Sequence, residues 1–118
     1  GVFLAHSLPD AAYLDQFDTN CLHRAPNDID MREGGSVYQL VWGRRYNPAV
    51  LERFSKTYDV NLFVVGHQPQ EFGFEVKLDR VLIIASDNNH GVFLPIDCGK
   101  RYTMQQLVDR IRPFAGVA

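Results

Sequence analysis

The chain has 118 residues, 46% of them hydrophobic and 12% aromatic, which suffices for one domain with a packed core and is too few for two. Its 12 Lys and Arg nearly balance its 14 Asp and Glu, and no basic block occurs, which excludes a broad phosphate-neutralising face for nucleic acid. No apolar run reaches the roughly 18 residues that a membrane span needs, and residues 1–5 lack the basic flank and length of a secretory signal. Cys21 and Cys98 stand far apart and define no disulfide framework, so a reduced, cytoplasmic setting is the default expectation.

Residues 1–5 form an apolar run that ends at His6 and reads as a strand. It has no polar lead-in, which predicts a single partial domain over residues 1–118, truncated at its N-terminus. Ser7-Leu8-Pro9-Asp10 is a turn with capping potential, and residues 11–17 follow as a short helix. Residues 18–35 are polar and contain Pro26, Asn27 and Gly34-Gly35; this is the longest irregular stretch. The β-branched and aromatic bias of residues 36–42 predicts a strand. Gly43-Arg44-Arg45 breaks it, and Asn47-Pro48 opens a helix whose Leu51, Phe54 and Tyr58 face the core.

Residues 60–65 predict a strand covered on both faces, ending at Gly66-His67. Residues 72–77 and 80–85 read as a hairpin around Leu78-Asp79, and residues 91–96 as a further strand. Thr103-Met104-Gln105-Gln106 is a capping box that opens a closing helix with Leu107, Val108, Ile111 and Phe114 on its apolar face. Pro113 ends that helix. These elements predict one α/β layer system.

The most informative pattern is an echo: two distant apolar strands both terminate in histidine, at His6 and at His67. Open α/β sheets collect ligands beyond the carboxyl ends of their strands, where two imidazoles from neighbouring strands can meet. Neutral imidazole suits zinc, iron and related ions, and Gly66 would let the backbone turn sharply just before His67. A strand-end histidine is also an ordinary hydrogen-bonded residue. Arg44 and Arg45, in a glycine-broken turn, have the paired donors that match phosphate oxygens, although taken by themselves they are more often a solvated loop pair. The turn of residues 86–91 (Ser-Asp-Asn-Asn-His-Gly) offers hydrogen-bonding side chains at a strand's carboxyl end.

The order of these segments resembles the C-terminal half of calcineurin-like metallophosphoesterases, most closely the phosphoprotein-phosphatase branch. The resemblance rests on residues 62–68 (Leu-Phe-Val-Val-Gly-His-Gln), Gly73-Phe74-Glu75 and residues 82–88 (Leu-Ile-Ile-Ala-Ser-Asp-Asn). It also rests on residues 5–10 (Ala-His-Ser-Leu-Pro-Asp) and on Trp42-Gly43-Arg44. It implies an α/β fold that is part of a metallophosphatase β-sandwich flanked by helices. It further implies hydrolysis of a phosphoester at a centre of two divalent ions (manganese, iron or zinc), with His6 and His67 as ligands of one ion. Arg44 or Arg45 would hold the substrate phosphate, and Asn88, Asn89 and His90 would line the cleft. The substrate would be a phosphoprotein, a nucleotide or a small phosphomonoester.

The Asp-x-His, Gly-Asp-x-x-Asp and Gly-Asn-His motifs of that family's first half do not occur among these residues. The isolated chain is therefore expected to be inactive, with one apolar sheet face bare and prone to self-association or to pairing with the missing half. The alternative is a non-catalytic interaction module of the same fold.

Overall fold

Alternating burial along two apolar runs sets the centre of the molecule. In the computed structural model, which describes residues 1–116, β1 (Val2–Leu4) pairs in parallel with β2 (Leu62–Val65). On its other side β2 pairs in parallel with β4 (Val81–Ile84), and β3 (Phe74–Lys77) closes that edge antiparallel to β4. The sheet is mixed and runs β1-β2-β4-β3. A two-stranded ribbon of β5 (Val92–Phe93) and β6 (Arg112–Pro113) forms a second sheet, tied to the end of β4 by the Val92 N–H, which donates to the Ala85 carbonyl at 2.9 Å.

Successive strand residues point to opposite faces, so each strand feeds two cores. Phe3, Phe63, Val65, Val81 and Ile83 pack with Val50, Leu51 and Phe54 of α3 (Pro48–Tyr58), together with Leu8, Phe17, Cys21 and Leu40. Phe54 and Phe63 are fully buried, each stabilising the fold by about 1.5–3 kcal/mol. Leu62, Val64 and Leu82 face the other way, against Leu107 of α4 (Met104–Asp109) and the half-buried Leu94, Ile96 and Tyr102. The bare apolar face expected from the sequence is thus covered, by α4 and the strand-free segment before it. What stays open is the β1 edge, where Leu4 is 63% exposed.

Local sequence sets the helix ends. Asn47 accepts a hydrogen bond from the Ala49 N–H with Pro48 in the first turn, as its type and position predict. Thr103 and Gln106 cap each other reciprocally. α4 stops at Asp109, and Pro113 falls in β6, short of which the helix has already ended. The β3–β4 hairpin turns through Leu78 (φ 53°) and Asp79 (φ 55°), the pair of left-handed residues that a tight hairpin of this twist demands.

Three expectations change. Residues 36–42 form a helix, α2 (Ser36–Trp42), not a strand: Ser36, Gln39 and Leu40 are buried at helical spacing between Gly35 and Gly43. Residues 18–35, expected as irregular, contain a 3-10 helix (Thr19–His23) and α1 (Asp28–Met31), and a 3-10 helix (Ala11–Gln16) precedes them. Arg24 clasps this region, reaching Asp18 at 2.8 Å and Asp30 at 2.5 Å, while Asp30 and Asn27 form a capping box. The strand expected at 91–96 shortens to β5. Both cysteines are free, Cys21 buried and Cys98 exposed. Among the described residues, no helix is long and apolar enough to cross a membrane.

Candidate functional site

The in-register pairing of β1 with β2 carries their two terminal histidines to the same place. Phe3 faces Phe63 and Leu4 faces Val64, so the chain beyond Ala5 runs alongside the chain beyond Val65. The Ala5 N–H donates to the Val64 carbonyl at 3.2 Å and the Gly66 N–H to the His6 carbonyl at 3.0 Å, extending the ladder past both strand ends. His6 Nε2 and His67 Nδ1 lie 2.9 Å apart, with the rings edge to face at 70°. In the neutral state one nitrogen donates and the other accepts.

His67 is held in an unusual backbone conformation. Its φ is 68°, and the Gln68 N–H donates to the Gly66 carbonyl at 2.8 Å, which makes residues 66–68 a γ-turn of the strained hand. The sequence placed the conformational freedom at Gly66, but the left-handed residue is the histidine. The Trp42 ring meets the His67 ring edge to face at 5.5 Å and 86°. His67 Nε2 is buried and has no hydrogen-bond partner among the described residues. Burial lowers the His67 pKa, and the charges of His6 and Arg44 lower it further, so the ring is neutral at pH 7 with a lone pair available.

The segment after His6 is locked to α2. Ser7 is fully buried; its N–H donates to the Leu40 carbonyl at 2.8 Å. Its hydroxyl donates to the Gln39 carbonyl and accepts from the Gly43 N–H, both at 2.9 Å. The hydroxyl therefore sits where the next Gln39-to-Gly43 helical bond would have formed, ending α2 at Trp42. A Cβ on Gly43 would lie 1.8 Å from the Leu8 carbonyl oxygen, so only glycine fits this crossing. Ser7 thereby sets both the approach of His6 and the start of the Arg44-Arg45 turn. The sequence offered Ser7 only as a turn residue, because its partners lie more than 30 positions away.

A cleft of about 330 Å³ opens over the imidazole pair, walled on the far side by Ile84, Ser86 and Asp87 from the end of β4. Ser86 and Asp87 belong to the turn that the sequence singled out, but the three residues expected on the cleft do not line it. Asn88 is spent on the turn itself: its Nδ2 donates to the Gln70 carbonyl at 2.9 Å and its Oδ1 accepts from the His90 N–H at 2.8 Å. Asn89 and His90 are exposed, with the His90 ring 5.7 Å from that of Phe72. Arg44 and Arg45 also lie off the cleft wall, on a neighbouring pocket shared with Tyr46, Lys77 and Leu78. The two sites are joined through Gln68, which lines the cleft and donates its Nε2–H to the Arg44 carbonyl.

Two imidazole nitrogens bound to one first-row ion at about 2.0–2.1 Å each stand about 3 Å apart when the two bonds meet near a right angle. The observed 2.9 Å, the neutral His67 ring and its confined position fit two donors of a single ion. No group of three or more His, Cys, Asp and Glu side chains able to hold a metal occurs among the described residues. The chain matches no protein family, no curated protein and no solved structure in comparison with them.

Proposed function

We propose that this chain supplies the His6 and His67 ligands of a metal-dependent phosphoester hydrolase centre. In this reading its sheet is part of a larger metallophosphatase β-sandwich. The observation that carries the proposal is the 2.9 Å approach of two imidazoles at the carboxyl ends of adjacent parallel strands. A catalytic ion needs three or more protein donors, so the remaining ligands come from outside these residues, as does the holding of a second ion. Bound manganese, iron or zinc ions would neutralise the charge that builds on the phosphoryl oxygens during hydrolysis.

The chain's own residues bind and orient. The γ-turn and the Trp42 ring fix the His67 plane, and burial keeps that ring unprotonated at neutral pH. Ser86 and Asp87 bound the space a phosphoester would enter, and Arg44 delivers positive charge close enough to be felt at His67. Asn88 supports the turn instead of touching the ester. The substrate classes in view are a phosphoprotein, a nucleotide and a small phosphomonoester, and the setting proposed is cytoplasmic.

A second reading is favoured by the donor count: with two imidazoles and no third ligand among the described residues, the domain would be a non-catalytic interaction module. The two are separated by measurement. Manganese titrated into the chain is followed by electron paramagnetic resonance, and manganese-dependent hydrolysis of p-nitrophenyl phosphate is assayed in the full-length protein. His67→Ala is expected to weaken manganese binding at least tenfold and to abolish hydrolysis while the circular dichroism spectrum is retained. Unchanged turnover in that variant, or turnover that survives chelation, removes the hydrolase reading.

A further inference from the structure

The short helix α1 is packed inside out. Its buried side chain is the carboxylate of Asp30, 4% exposed, while its two large apolar side chains, Ile29 at 70% and Met31 at 58%, stand in solvent. Burial ordinarily runs the other way: isoleucine and methionine are among the side chains most often enclosed, and aspartate is enclosed only when paired. Three contacts lock the orientation. Arg24 grips both Asp30 oxygens, at 2.5 and 2.9 Å. Asn27 and Asp30 cap each other across the first turn. The helix also rests directly on backbone, since a Cβ at Gly35 would lie 2.2 Å from the Ile29 carbonyl oxygen. Turning Ile29 inward would pull a buried, paired carboxylate from its clasp, a loss that outweighs the gain from enclosing one aliphatic side chain.

Beside Ile29 lies an open groove of about 550 Å³, with Tyr13, Glu33, Gly34 and Gly35 also in its lining. The charge of this region selects what can fill it. Residues 10–33 hold six carboxylates against two guanidinium groups, whereas the rest of the chain holds eight acidic and ten basic residues. Asp28 and Glu33, both exposed, flank the apolar pair in sequence. A field of this sign repels nucleic acid and anionic lipid and attracts a cationic partner. An amphipathic helix whose apolar stripe is bordered by Lys or Arg meets both demands, the apolar contact and the charge.

We propose that Ile29 and Met31, held outward by α1 beside this groove, form a docking site for a basic amphipathic helix of a partner protein. The site stands apart from the imidazole cleft and does not rest on the hydrolase reading. The probe is a synthetic helix of about four turns, leucine on one face and lysine on the other, titrated into the chain and followed by amide chemical shifts. Saturable shifts are expected to centre on residues 28–35, and the binding to weaken as salt is raised. The double variant Ile29→Ser, Met31→Ser should bind at least tenfold more weakly, as the removal of two enclosed apolar side chains requires. Asp28→Asn with Glu33→Gln should weaken binding severalfold and flatten its salt dependence. All four side chains are exposed, and retained amide dispersion checks that the fold survives. His67→Ala should bind the probe as the unmodified chain does, which separates this site from the fate of the metal reading.

Other occupants give other results. The same shifts on concentrating the chain alone, with sedimentation as a dimer, assign the face to a second copy. A matched peptide with glutamate in place of lysine that binds as tightly removes the charge argument. Either result, shifts centred elsewhere, or an Ile29→Ser, Met31→Ser variant that binds like the unmodified chain overturns the proposal.

Discussion

Replacing Ser7 by Ala tests how the candidate site is tied to the fold. The substitution deletes a hydroxyl that is fully buried and bridges the Gln39 carbonyl to the Gly43 N–H. Both partners are in buried residues, and leaving a buried group unpaired costs about 1–3 kcal/mol each, for a total of about 2–6 kcal/mol before any relaxation. The two groups can recover part of this by bonding to each other, but only if Gly43 leaves its extended conformation (φ −63°, ψ 144°) and α2 lengthens. That relaxation displaces the Arg44 carbonyl from Gln68. The assay is urea unfolding by circular dichroism, where a midpoint loss of about 1–2 M is expected at the usual slope for a small domain. Amide shifts of Arg44 and Gln68 report the displacement. A variant within about 0.5 kcal/mol of the parent, with those two amides unmoved, would refute the bridging role.

Two further outcomes follow from the same geometry. Gly73→Ala should destabilise by about 2 kcal/mol or more, because φ is 92° and the new Cβ would lie 2.3 Å from the His90 carbonyl oxygen. Gly34→Ala, at φ 84° with only Tyr13 at 3.9 Å, should cost about 1 kcal/mol by urea unfolding; equal losses would remove the steric contribution. Asp30 is held at a pKa of about 2, below its ordinary 3.8, by hydrogen bonds from Arg24 and then from the Asn27 N–H. A lowered carboxyl pKa means that the unfolded chain takes up the proton first, so stability is present above about pH 4 and is lost as the pH falls toward 2. Asp30→Asn should be less stable at pH 7 and show a shallower decline between pH 4 and 2; parallel pH profiles for variant and parent would contradict this.

Much of the sheet was legible because its signals are local. Residues 62–65 are apolar on both faces and are buried on both, and the hairpin and the Asn47 and Thr103 caps need only neighbours a few positions away. The helix at Ser36–Trp42 was not legible. Val37, Tyr38, Val41 and Trp42 favour a strand, and what overrides them is tertiary: Ser36 accepts from the Asp18 N–H while Gln39, Leu40 and Gly43 meet the segment after His6. The meeting of His6 with His67 could be anticipated, since both end apolar strands of one sheet. That Asn88 bonds the Gln70 carbonyl and that Arg44 and Arg45 share a pocket with Lys77 could not, because each depends on a partner at least 18 residues away.

The twisted backbone at His67 sets the fold and the imidazole at odds. A side chain carrying a Cβ is uncomfortable at φ 68°, whereas glycine is at ease there. Selection for thermal robustness alone would therefore drift away from histidine at this position. Only a demand placed on the ring itself would hold it in place.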